Sequence, residues 1–257
     1  MSDRYRQQRY RPPAGGFGGP GLTPMVQRLL IANVAVFLVQ MFSPGNLIDV
    51  LGVSVHGVFQ TMQLWQPFTY MWAHGSFMHV AFNMFALWMF GGQLELAWGP
   101  RKFLRFYLQC GIGAGFIILA WHTVLGSTSV TLGASGAVFG ILTAFSLMWP
   151  DQTIQLIFPP VSFRAIWFIP LLFVMQLLMS QGNISHIGHL GGVLVAAFIM
   201  RDAVRRAIGS SRRSIGFSSL RYRWHRWRMR GKLRAVRREE FERKRPREDD
   251  DDRPTLH

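Results

Sequence analysis

Between Leu30 and Met200 the chain carries only seven charged side chains: Asp49, Glu95, Arg101, Lys102, Arg105, Asp151 and Arg164. A globular surface of that size needs several times as many, so the stretch is expected to be solvated by lipid. The net charge of +15 comes from the flanks, because all but four of the 28 Lys and Arg lie outside this window. A secreted domain, a disordered protein and a soluble nucleic-acid binder are thereby excluded. The single cysteine, Cys110, excludes a disulfide framework and any cysteine-based metal cluster. Ser2 to Pro24 is rich in Arg, Gly and Pro instead of apolar residues, so no cleavable signal peptide is expected there.

Apolar runs bounded by charges, Pro or Gly predict six helices, near 26–43, 78–96, 103–122, 135–149, 165–180 and 187–200. The expected fold class is an all-α polytopic membrane protein, a bundle of six transmembrane helices. The fourth and sixth runs are short, and a short span in such a bundle starts below the membrane surface, facing a polar cavity. The 43–77 connection is rich in Trp, Phe and Met with one charge, so it is expected to lie partly in the interface. Three regions follow: a basic Gly/Pro-rich terminus at 1–24, a membrane domain at 25–202 and a basic and acidic tail at 203–257.

Basic residues orient the bundle. With six spans, the N-terminus, the connection bearing Arg101, Lys102 and Arg105, the connection bearing Arg164 and the tail all fall on one side. The alternate connections hold no Lys or Arg, so both termini are expected to be cytoplasmic. Beyond Arg201 the tail interleaves Trp224, His225 and Trp227 with Arg. A plain positive stop and an anionic-lipid contact both fit that pattern. Nucleic acid is not the expected partner, since basic charge alone is unspecific.

Polar side chains within a membrane bundle are functional candidates by default. Counting about 1.5 Å per helical residue from the basic edge puts His79, Asn83, Ser135 and His189 about 18 to 24 Å up. In a core roughly 30 Å thick they share one layer in the half away from the basic edge. Such a set suits acyl transfer: His189 as base would take the Ser135 proton, histidine being the side chain whose ordinary pKa fits that task. Gly133 and Gly136 let Ser135 sit at a tight helix start, where free backbone N–H groups face an incoming carbonyl oxygen. His79 and Asn83 are four apart, project from one face and supply further oxyanion donors. Phe139, also four on from Ser135, would lie beneath it and pack on an imidazole. No carboxylate or lysine shares the layer, so the hydrolase read here is a serine-histidine dyad.

Each feature has a plainer reading. Gly136-x-x-x-Gly140 and Gly188-x-x-x-Gly192 fit close helix packing. His74, His79, His186 and His189 could bind a metal in a transporter, although no carboxylate or thiolate accompanies them. Cys110 reads as a packing residue, and Trp65, Trp72 and Trp98 as interfacial anchors.

Three segments, HGSFMHVAFNMFALWMFGGQLE at 74–95, TLGASGAVFG at 131–140 and ISHIGHLGGVLVA at 184–196, resemble the rhomboid family of intramembrane serine proteases. The likeness runs from about Leu64 to Met200, in the family's order. It implies Ser135 as nucleophile, His189 as general base with His186 the poorer fit, and His79 with Asn83 as the oxyanion-stabilising pair. No metal or cofactor is implied. Substrates would be transmembrane helices of other proteins, unwound and cut near the outer end of the span. A non-catalytic relative that binds or escorts membrane helices is the alternative. Six spans with basic termini look most like a bacterial inner-membrane member.

Overall fold

The computed structural model describes residues 21–155, 161–179 and 186–205. The tail from residue 206, nearly all of the N-terminal region and Ser185 lie outside the described residues.

Helix α1 spans Pro24–Phe42, with proline at its first position, where the missing N–H costs nothing. Its remaining first-turn donors are met from far along the chain. The Glu95 carboxylate, 3% exposed, accepts from the Met25 and Val26 N–H groups and from the Thr23 hydroxyl. A negative group at a helix N-terminus is favoured by the helix dipole, which explains why a carboxylate tolerates burial there.

The connection after α1 is itself folded. It holds α2 (Pro44–Leu51), a π-helical turn (His56–Gln60), α3 (Gln66–Thr69) and a 3₁₀ turn (Tyr70–Trp72). Gln66 is fully buried at its centre, accepting from the Ser54 N–H at 3.1 Å and donating to the Asp49 carbonyl at 2.8 Å. Phe59, Met62, Leu64, Trp65 and Phe68 stay exposed around that polar centre. Apolar side chains thus lie outside and a satisfied amide inside.

The second apolar run is a continuous rod from Phe77 to Trp98, made of α4 (Phe77–Ala86), a π-helical segment (Leu87–Gly91) and α5 (Gly92–Trp98). Helix α6 covers Pro100–Leu125 and α7 covers Ser135–Met148. Pro150 lies just past the end of α7, where its ring cannot continue the helix. A two-stranded antiparallel hairpin follows, β1 (Thr153–Gln155) with β2 (Ser162–Arg164), joined also by an Asp151–Arg164 ion pair. Helices α8 (Phe168–Met179) and α9 (His186–Ile199) complete the set. The hairpin corrects the all-α expectation: its strands are three residues each, too short for alternation to register in the sequence.

All six expected apolar helices are present at the expected places. Two of them, α1 and α6, are long and apolar enough to cross a membrane by themselves. The Phe77–Trp98 rod is divided by its π segment, and α7, α8 and α9 are 14, 12 and 14 residues long. Between the 43–77 and 123–133 connections, Val53 and Thr131 exchange backbone hydrogen bonds at 2.8 and 2.9 Å.

Candidate active site

Helices α6, α7 and α9 pack against one another at distances only small residues permit. A Cβ on Gly136 would stand 2.7 Å from the Ala114 Cβ and 3.3 Å from the Gly188 carbonyl oxygen. One on Gly192 would collide with the Gly136 carbonyl, and one on Gly140 would lie 2.6 Å from the Cys110 sulfur. The glycine spacing therefore serves helix packing, as its plainer reading has it, and Cys110 is a buried packing residue. That packing brings the first turns of α7 and α9 together, which is where Ser135 and His189 sit.

Ser135 is the first residue of α7 and is half-buried. Val138 is the first to donate back within the helix, to the Ala134 carbonyl at 3.0 Å. The N–H groups of Ser135, Gly136 and Ala137 precede it and have no intrahelical carbonyl to meet. Gly133 shapes the approach for two reasons. Its φ of +124° is a conformation L side chains rarely adopt, and a Cβ there would stand 2.6 Å from the His79 ring. The glycine is thus the space into which the His79 imidazole is laid.

His79 belongs to the first turn of α4, which Ser76 caps by accepting the His79 N–H at 3.2 Å. Asn83 is buried one turn on, its amide donating to the His79 carbonyl at 3.0 Å. A carboxamide has two N–H groups, so this bond leaves a second donor. His189 is buried in the first turns of α9, and its ring lies flat on Phe139, with centroids 4.3 Å apart and planes 10° apart. Phe139 in turn meets Phe173 of α8 at 5.8 Å. The ring stacked on Phe139 is that of His189, while His186 begins α9 one turn earlier.

Three further residues hold this arrangement, and the serine-histidine reading of the sequence gave them no role. His74 is fully buried, with its ring edge-to-face on His79 at 5.1 Å. Gln40 of α1 donates to the His74 carbonyl at 2.7 Å and accepts the His74 N–H at 3.1 Å. Tyr70 donates its hydroxyl to the Gly111 carbonyl at 2.6 Å and accepts the Gly133 N–H on its own carbonyl at 2.9 Å. His74 stood out in the sequence as a polar residue near the second helix and as a candidate ligand in the metal reading. The partners of Gln40 and Tyr70 are tens of residues distant, beyond any local pattern. Among the described residues, no group of three His, Cys, Asp or Glu is arranged to hold a metal ion.

Residues 61–205 match the Rhomboid domain, more than half of the chain. The chain is 30% identical over 226 residues to Rhomboid protein 1, mitochondrial, of Saccharomyces cerevisiae, an alignment covering 75% of this chain and 65% of that one. It is 30% identical over 126 residues to the Presenilin-associated rhomboid-like protein, mitochondrial, of Mus musculus, covering 48% and 33%. A third relative, RHOMBOID-like protein 12, mitochondrial, of Arabidopsis thaliana, is 28% identical over 191 residues, covering 67% and 56%. The chain thus spans between a third and two thirds of these relatives' lengths. Their shared mitochondrial naming overturns the expected bacterial inner membrane, and with it the cytoplasmic placement of both termini. The physical reason is that a bias of Lys and Arg among connections separates two sides of a bundle without saying which membrane holds it. The glycine-packed helices that carry Ser135 and His189 fall wholly inside the matched domain, and on that match the chain belongs to the rhomboid family.

Proposed function

We propose that this chain is an intramembrane serine endopeptidase that cuts transmembrane helices through a Ser135–His189 dyad. The observation that carries the reading is the stack of His189 on Phe139, because Phe139 lies one helical turn beneath Ser135 on the same face of α7. His189 takes the hydroxyl proton as Ser135 attacks the scissile carbonyl, then returns it to the leaving amine. The tetrahedral oxyanion is met by the Ser135 N–H, the His79 ring and the Asn83 amide. Water then attacks the acyl-enzyme, with His189 again as base.

All six apolar rods cross the membrane in this reading. Helix α7 at 14 residues is about 21 Å long, against a core of roughly 30 Å, so its start lies below the surface in a water-accessible recess. The cut falls near the face opposite the basic connections. A substrate helix must unwind first, since a helical carbonyl is already hydrogen-bonded and shielded. Cleavage sites should hold small or helix-weakening residues. The basic, Trp-bearing stretch near 221–238 contacts anionic headgroups.

The test is reconstitution of the full chain into liposomes with a single-pass substrate of Gly- and Ala-rich span, followed by mass mapping of the products. Wild type should release fragments cut near one end of the span and Ser135→Ala none. An intact substrate held in a stable complex by the wild type would favour the non-catalytic, helix-binding reading.

A further inference from the structure

Two buried side chains outside the proposed catalytic set form a chain of contacts from α1 to that set. His74 Nε2 stands 3.4 Å from the Ala134 backbone N–H, and His74 Nδ1 stands 3.3 Å from the Trp72 carbonyl oxygen. One neutral tautomer satisfies both: Nδ1 carries the proton and donates to Trp72, leaving the Nε2 lone pair to accept from Ala134. Ala134 immediately precedes Ser135, so this contact fixes the turn from which the nucleophile projects. The same imidazole presents itself edge-to-face to His79 at 5.1 Å, and Gly133 lies against the same His79 ring. His74 is itself anchored, since the Gln40 amide bonds both its N–H and its carbonyl, at 3.1 and 2.7 Å. Both anchoring side chains are at least nine-tenths buried, at 5% exposure for Gln40 and 0% for His74.

Resting on the proposed peptidase reading, we infer that His74 is a positioning residue for it. His74 sets the Ala134–Ser135 turn and the His79 ring in one geometry, and Gln40 ties that geometry to α1. Its action is on the acylation step and not on substrate capture, because it reaches the reacting atoms only through Ala134 and His79. A buried imidazole with both nitrogens used in opposite senses is rigid, and small displacements of a reacting group lower rates steeply.

The experiment compares full-length wild type, His74→Phe, His74→Gln and Gln40→Leu in detergent micelles. It reads kcat and KM on the Gly- and Ala-rich single-pass substrate, with thermal unfolding followed on each sample. Phenylalanine fills the imidazole's space without an acceptor, whereas the glutamine carbonyl reaches the Nε2 position and accepts the Ala134 N–H. The expected result is a fall in kcat of about ten- to a hundredfold for His74→Phe with KM nearly unchanged. Recovery to within about threefold of wild type is expected for His74→Gln, and a smaller kcat loss for Gln40→Leu. Should His74→Phe not fold, the decision passes to His74→Gln and Gln40→Leu. A kcat equal to wild type in Gln40→Leu, or a change in KM alone, then overturns the inference. With a folded His74→Phe, unchanged kcat, or an equal loss in His74→Phe and His74→Gln, does the same. A wild type that cleaves nothing overturns the peptidase reading beneath it, a result distinguishable because no variant is needed to see it.

Discussion

Two buried polar clusters sit in this bundle and differ in how completely their groups are satisfied. At the start of α1, Glu95 gathers the Thr23 hydroxyl and two backbone N–H groups and is 3% exposed. Around α7, Ser135 is half-buried at a helix start whose first donors have no intrahelical partner, and His79 is laid in a slot made by a glycine. The first cluster closes on itself, and a closed buried network fixes structure. The second keeps helix-start donors without an intrahelical partner, and in the proposed reading these meet the substrate oxyanion, which is what transition-state stabilisation requires. The contrast teaches that polarity inside an apolar bundle marks chemistry only where its hydrogen-bonding capacity is left open.

The comparison breaks most sharply at Ser135. Ser135→Ala should lower peptidase kcat by about 10⁶-fold, the scale for removing a nucleophile, while thermal unfolding in detergent stays close to wild type. Stability lost together with activity would mean that the serine is structural and the two clusters are of one kind. The opposite pattern is expected for Glu95→Ala, which leaves three donors unmet. Unfolding should cost about 3 kcal/mol less than in wild type, with activity per folded molecule unchanged. Denaturant titration alongside active-site titration measures both quantities.

Within the open cluster, Asn83→Ala should lower kcat by about 10²-fold with KM little altered, as for the loss of one oxyanion donor. Steady-state kinetics on the single-pass substrate checks this; an Asn83 acting only within its own helix would leave kcat unchanged and lower the thermal unfolding temperature instead. The smallest effect is expected for Phe139→Leu. Loss of the flat contact with His189 should lower kcat about fivefold, in line with an aromatic contact of about 1 kcal/mol. An unchanged rate would mean that α9 packing alone holds the imidazole.

Much of this was legible in the sequence because the signals are local. Six apolar runs, the glycines around Ser135 and the four-residue spacing of His79 and Asn83 predict helix positions to within a few residues. What the sequence hid depends on distance along the chain. Glu95 reads there only as one of seven charges in the apolar stretch, yet its partners Thr23 and Val26 are about 70 residues away. The Gln40–His74 contact joins residues 34 apart, so neither composition nor periodicity carries it. The π segment at Leu87–Gly91 leaves the apolar run unbroken and is invisible to a count of hydrophobic residues. Which membrane holds the chain was the largest miss, because charge distribution reports sidedness alone.

The most direct test of the central claim is labelling of the full-length protein in detergent with a fluorophosphonate probe, with the modified residue identified by mass spectrometry. The account predicts a single adduct on Ser135 in wild type and in His186→Ala, and none in Ser135→Ala or His189→Ala. Labelling that persists in a folded His189→Ala, or a folded wild type that takes no label, would contradict it.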